Sequence, residues 1–203
     1  ILDPKNSDLA DLGTVMPNVY HTKEEMIDCV NAFYEGMVRR SEEMKRHPNY
    51  KTGENYAYLG LPPCFLIFDE YVAFFEMLGT KESVGLLSQL KKIVMLGRQA
   101  GYFLIVACQR PDAKYFSDGI RDNFNFRVGL GRISELGYGM LFGSDVKKQF
   151  FQKRIKGRGY CDVGTSVISE FYTPLVPKGH DFLQTIGSLA LARQTVSDER
   201  KEN

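Results

Sequence analysis

Apolar residues recur along this chain in two rhythms. Met26, Val30, Phe33, Met37 and Met44 follow a near-helical spacing, which puts them on one face of an α-helix. Thr22 with Glu25 has the form of a capping box at its start. A second helical stretch runs from about Thr80 to Arg98, with Leu87, Leu90 and Val94 on one stripe and Gly97 and Gly101 bracketing its end. Residues 65–68 (Phe-Leu-Ile-Phe) and 103–107 (Phe-Leu-Ile-Val-Ala) show no period, being unbroken apolar runs. A run without alternation suits a central strand covered on both faces. Pro111 follows the second run and forbids further ladder pairing.

Weaker signals complete the outline. Ile1 and Leu2 run into Asp3-Pro4-Lys5 as a strand end and turn. Residues 46–63 are polar with Gly and Pro and read as a surface loop, and residues 112–125 as loop and short helix. A third strand is expected at 127–132. Two more, at 156–162 and 167–172, flank Val163-Gly164-Thr165-Ser166 as a β-hairpin. The stretch from about Arg193 is polar and charged, a frayed helix or tail. Strands alternating with helices predict an α/β layered fold with a mostly parallel sheet, and in such sheets chemistry gathers at the carboxyl ends of the strands.

Composition narrows the function classes. With 203 residues, 43% hydrophobic and 25% charged, the chain can bury a sizeable core as an ordinary globular domain. Its net charge of +1 excludes a wholly basic, nucleic-acid-coating protein, so any such contact needs a local patch or ring assembly. The four cysteines, Cys29, Cys64, Cys108 and Cys161, form no CxxC pair and read as reduced, packed thiols. His21, His47 and His180 fit no metal spacing. No apolar run approaches the length of a membrane span.

The candidate chemistry sits at two strand ends. Asp69 and Glu70 directly follow the first apolar run, where a carboxylate is costly to bury unless it meets a cation. In nucleotide-hydrolysing proteins the first acid of such a pair orients the magnesium ion on the phosphates, and the second can hold and deprotonate the attacking water. Gln109 ends the neighbouring run, and its neutral amide can contact both the γ-phosphate and that water. Arg98 lies near the end of the intervening helix. It suits either the helix dipole or an arginine finger aimed at a neighbouring subunit's γ-phosphate.

Taken together, Phe-Leu-Ile-Phe-Asp-Glu-Tyr at 65–71 and Gly-Arg-Gln-Ala-Gly-Tyr-Phe-Leu-Ile-Val-Ala-Cys-Gln-Arg-Pro at 97–111 resemble the core of FtsK/SpoIIIE family motor domains. The family pattern is a Walker B strand, a helix ending Arg-x-x-Gly, then a strand ending Thr-Gln-Arg-Pro. Residues 1–5 resemble the strand after the P-loop helix, and residues 120–127 resemble the lead into the next strand. The resemblance implies a RecA-like P-loop NTPase over residues 1–192, with 193–203 as a polar tail. It implies ATP and Mg2+ bound between subunits of a homohexameric ring around double-stranded DNA, with hydrolysis driving translocation of the DNA in conjugative transfer or chromosome movement. Asp69 is then similar to the magnesium-ordering acid, Glu70 to the catalytic acid, Gln109 to the γ-phosphate sensor and Arg98 to the trans-acting arginine. The wording of the motifs is closest to coupling ATPases of Gram-positive conjugative elements. That in turn implies a cytoplasmic domain of a membrane-anchored bacterial protein, attached through regions outside this segment.

Some features depart from the pattern. The chain contains no Gly-Lys dipeptide and therefore no Gly-x-x-x-x-Gly-Lys-Ser/Thr loop; we expect that loop upstream of Ile1, leaving the segment by itself inactive. Cys108 stands where the family has Thr. The glycines of Gly129-Leu-Gly131 lack the third glycine of a dinucleotide fingerprint and read as strand and turn residues. The basic run Lys147, Lys148, Lys153, Arg154, Lys156 and Arg158 is a solvated surface or a phosphate-contacting patch, and Arg110 and Arg132 are further DNA-contact candidates. Two other functions fit the same fold: a motor for protein secretion, or a degenerate ATPase module that only binds partners.

Overall fold

The computed structural model describes residues 1–199 apart from 117, 147, 152–154 and 166, with backbone alone at 118 and 192–199. After a short 3-10 turn at Ala10–Thr14, the chain forms α1 (Lys23–Arg46), β1 (Cys64–Phe68), α2 (Tyr71–Glu76), α3 (Thr80–Ala100), β2 (Tyr102–Val106) and α4 (Asp118–Arg121). It continues through β3 (Arg127–Leu130), α5 (Glu135–Phe142), β4 (Arg158–Asp162), β5 (Ile168–Tyr172) and α6 (Phe182–Glu199). The fold is α/β, as expected, with β1 and β2 parallel and in register from Cys64–Tyr102 to Phe68–Val106. Leu2 adds a parallel bridge to Phe68 on the other side of β1.

The third expected strand joins a different sheet. Strand β3 pairs antiparallel with β4, and β4 with β5. The hairpin is therefore present, and β3 extends it to three strands. Gly159 permits this pairing, since a Cβ there would lie 1.8 Å from the Gly129 carbonyl oxygen. Tyr138, Phe142, Tyr160 and Ile168 form a second small core beneath this sheet.

The main core lies on one face of the parallel pair. Leu66 and Phe68 of β1 point toward α1 residues Met26, Val30 and Met37 and α3 residues Leu86, Leu90 and Ile93. This corrects two sequence expectations. Strand β1 is not covered on both faces: Phe65 is 54% exposed and Ile105, on the same side of β2, is 48% exposed. An unbroken apolar run reports that both faces want cover, and the described residues supply it to one. The buried stripe of α3 is Leu86, Leu90, Ile93 and Gly97, one position away from the expected Leu87 and Val94. Helical spacing alone does not decide between adjacent stripes when both are apolar.

Helix starts differ in detail as well. Thr22 caps α1, but its hydroxyl donates to Glu25 Oε2 (2.6 Å) instead of accepting from the backbone. Helix α3 gains an unforeseen tie where the Gly79 amide donates to Glu82 Oε2 (2.9 Å). The α3–β2 turn needs both of its glycines. Gly101 has φ +77, and a Cβ on Gly97 would meet the Tyr102 carbonyl oxygen at 2.2 Å.

Candidate active site

Three segments converge at the carboxyl ends of the parallel strands. The Leu2 amide donates to Ile67 O (2.8 Å) and the Asp69 amide to Leu2 O (2.9 Å), which fixes Asp3 beside Asp69. On the other side the Ala107 amide donates to Phe68 O (2.8 Å) and the Tyr71 amide to Ala107 O (3.0 Å), which carries Cys108 and Gln109 to the Asp69–Glu70 corner. Asp69 and Glu70 are half-buried, while Gln109 is exposed and open to a ligand.

The corner has a built foundation. Asp3 is fully buried, a position a carboxylate occupies only when its oxygens are satisfied. It accepts from the Lys5 amide (3.1 Å), the Ser7 amide (2.8 Å), the Ser7 hydroxyl (2.9 Å) and the Ala10 amide (3.0 Å). Lys5, on this locked turn, places its ammonium 3.1 Å from Glu70 Oε1. Glu70 itself has φ +44 and ψ +49 at the start of α2. For a residue with a side chain this left-handed conformation costs about 1–3 kcal/mol and is characteristic of functional sites. In sequence, residues 1–5 read as a strand end and turn and as a match to the strand after the P-loop helix, with no side chain among them singled out. Asp3 and Lys5 are the residues of this corner that the sequence did not single out, and the available signal was a charged Asp-Pro-Lys directly after an apolar pair.

Electrostatics mark the same corner. Burial raises the Asp69 carboxyl above its ordinary range, and the nearby Asp3 and Glu70 charges push the same way, against the Glu70 amide and Lys5. Burial, with the Glu70 charge beside it, pushes the Cys108 thiol up from 9.0 to about 11. Burial also raises the Tyr71 hydroxyl. The Cys108 thiol therefore keeps its proton in the folded chain between pH 9 and about 11, where an unfolded chain loses it. Its contribution to stability is full below pH 9 and is lost as pH rises to about 11. Alkylation at pH 9, mapped by peptide mass, is expected to be slow at Cys108 in the folded protein and fast in urea. Equal rates in the two states would contradict this assignment, because the thiolate is the reactive form.

Arg98 stands apart from the acids. It is exposed near the end of α3, hence at the amino end of β2, and a five-residue strand at ~3.3 Å per residue separates it from the corner by about 15 Å. Within one chain the Ala107 hydrogen bonds bring Cys108 into the electrostatic range of Glu70, with Gln109 next in sequence, and Arg98 lies at the other end of β2. Two cavities of about 320 and 310 Å³ also lie elsewhere, one between α1 and α3 and the other beside Arg98. In the basic run Lys148 donates to Ile168 O and stacks on Tyr160. Arg158 lies 4.7 Å over the Tyr172 ring, so both are committed within the hairpin sheet. Lys147, Lys153, Arg154 and Ser166 lie outside the described residues, while Arg110 and Arg132 are exposed.

Comparison with known proteins gives the following. No protein-family model matches the chain. The FtsK domain-containing protein YdcQ of Bacillus subtilis (strain 168) is 58% identical over 187 residues, covering 92% of the chain and 39% of YdcQ. The chain thus spans about two fifths of that relative's length. Among solved structures, the pCW3 conjugation coupling protein TcpA, in a monomer form with ATPγS, superimposes with a TM-score of 0.74 at 16% identity. The match covers 95% of this chain and 55% of TcpA. The cytoplasmic domain of the Thermomonospora curvata type VII secretion ATPase EccC gives a TM-score of 0.58 at 19% identity, covering 85% of this chain and 21% of EccC. At these identities the structures bear on the fold, which is that of P-loop ATPase motor domains.

Proposed function

We propose that this chain, which belongs to the FtsK/SpoIIIE family, is the catalytic half of an ATP-driven motor that translocates double-stranded DNA. The observation that carries the reading is the meeting of Asp69 and Glu70 with the Cys108–Gln109 strand end across the parallel pair. Glu70 accepts the proton of the water that attacks the γ-phosphorus. The Gln109 amide holds that water and a γ-phosphate oxygen, and so reports to the segment after β2 whether the phosphate is present. Arg98, out of reach of its own acids, serves the site of a neighbouring subunit in a hexameric ring. The phosphate-cradling lysine comes from a P-loop outside this chain, and residues 1–192 make up the RecA-like domain.

A magnesium ion suits the residues present. Asp69 feels the charges of Asp3, Glu70 and Lys5, and burial and like charge disfavour its ionised form. Oxygen-only donors match the hard ion. Among the described residues no set of three or more His, Cys, Asp or Glu could hold a metal by itself. Asp69 would therefore share the ion with phosphate oxygens, the usual arrangement for magnesium. When bound, the ion neutralises charge on the transferring phosphoryl group.

The cargo assignment follows TcpA, whose name describes a conjugation coupling protein. Membrane anchoring and a cytoplasmic location belong to the same proposal; among the described residues no helix is long and apolar enough to cross a membrane. Likeness to EccC, a secretion ATPase, supports protein secretion as the second reading. The test is ATP turnover by the longer protein that carries this chain and a P-loop. We expect double-stranded DNA to raise turnover several-fold. Turnover indifferent to DNA but raised by a secreted substrate protein would overturn the DNA assignment, and no turnover under either condition would overturn the motor.

A further inference from the structure

We infer that Lys5 is the positioning residue for Glu70, holding one carboxylate oxygen so that the other is presented to the attacking water. The inference rests on the proposed ATPase reading and adds to it a residue in a different segment of the chain. Lys5 Nζ lies 3.1 Å from Glu70 Oε1, with the glutamate side chain 16% exposed and the lysine 43%.

The turn that delivers this ammonium is built more firmly than a surface ion pair needs. Leu2 and Asp3 are tied into the sheet by amides from Leu2 to Ile67, Asp69 to Leu2, and Asp3 to Tyr20 O (3.0 Å). Asp3 then spends a fully buried carboxylate on the Lys5, Ser7 and Ala10 amides. Pro4 between them locks its own φ. An ion pair this exposed contributes little to stability, so stability does not explain the construction. Precision of placement does.

Glu70 needs such a partner. Its backbone is held left-handed by the strand end and by α2, whose Ala73 amide donates to Glu70 O (2.8 Å). The side chain beyond has three rotatable torsions and a like-charged neighbour in Asp69. Without Lys5 it would turn away from Asp69 into solvent. With Lys5, Oε1 is anchored and the direction of Oε2 follows. A base must lie within hydrogen-bond reach of the proton it takes, and a displacement of about 1 Å can cost ~10²-fold in rate.

The experiment uses the longer, P-loop-bearing protein and compares Lys5→Met, Lys5→Arg, Glu70→Gln and the double variant Lys5→Met/Glu70→Gln. We expect Lys5→Met to lower kcat about ten-fold or more, with KM for ATP and Tm little changed. Lys5→Arg should restore most of the loss. Measured in single turnover, the double variant should be no slower than Glu70→Gln, because Lys5 acts through Glu70. A Lys5→Met enzyme with normal kcat, a rise in KM alone, or additive losses in the double variant would each overturn the inference. The two readings fail separately. Turnover that persists in Glu70→Gln removes the base itself, whereas a dead Glu70→Gln beside an unimpaired Lys5→Met removes only the role of Lys5.

Discussion

Replacing Glu70 by Gln in the longer, P-loop-bearing protein is expected to lower ATP turnover by about 10²- to 10⁴-fold, the usual contribution of a positioned general base. The amide keeps the shape of the side chain and can still hold a water, but it cannot take a proton. The corner should remain folded. The Lys5–Glu70 pair is partly exposed, and losing such a pair costs about 0–1 kcal/mol. Nucleotide binding should survive as well, because Gln109, proposed to touch the γ-phosphate, and Asp69, proposed to share the magnesium ion, are untouched. The measurement is single-turnover hydrolysis beside equilibrium ATP binding. Binding retained with hydrolysis lost is the expected pair of results. Hydrolysis within a few-fold of wild type would remove Glu70 from the reaction.

The second large effect concerns the floor of the same corner. Phe68→Ala is expected to destabilise the domain by about 3–5 kcal/mol, the range for truncating a buried aromatic. Phe68 is 0% exposed and packs against Tyr71 and Phe74 at centroid distances of 5.4 and 5.0 Å. Its carbonyl also receives the Ala107 amide that ties β2 to the site. Domains are stable by about 5–15 kcal/mol, so a large part of the margin would go, and the urea midpoint reads it directly. The same truncation at Phe65 should cost less, because 54% of that side chain is exposed. Equal losses at the two positions would contradict the one-sided core.

The contrast between Phe65 and Phe68 shows where sequence and structure divide. In sequence the two are equivalent members of one apolar run, because covering a face is done by residues far along the chain. Leu66 and Phe68 meet α1 and α3; Phe65 and Ile105 do not. The placement of α2, α5 and much of α6 was also not read from pattern. The first two are short, six and eight residues, and α6 mixes apolar and polar positions without a clean stripe. Local chemistry was more legible. Asp69, Glu70 and Gln109 were visible as polar residues ending apolar runs, since charge directly after a buried strand must be compensated somewhere.

What the sequence by itself determined is therefore local: the two long helices, the parallel strands, the hairpin, and the acids and amide at the strand ends. These follow from periodicity and from the cost of burying charge, both of which act over a few residues. The tertiary structure decided everything that depends on register and topology. It brought the end of β2 to the Asp69–Glu70 corner through the Phe68–Ala107 and Tyr71–Ala107 hydrogen bonds, with Cys108 in range of Glu70 and Gln109 next in the chain. It left Arg98 at the far end of β2, and it sent β3 into an antiparallel sheet. It also brought Lys5 across 65 positions of sequence to Glu70. No spacing rule encodes that contact, because it exists only once Leu2 has paired with β1 and Asp3 has been buried to hold the turn.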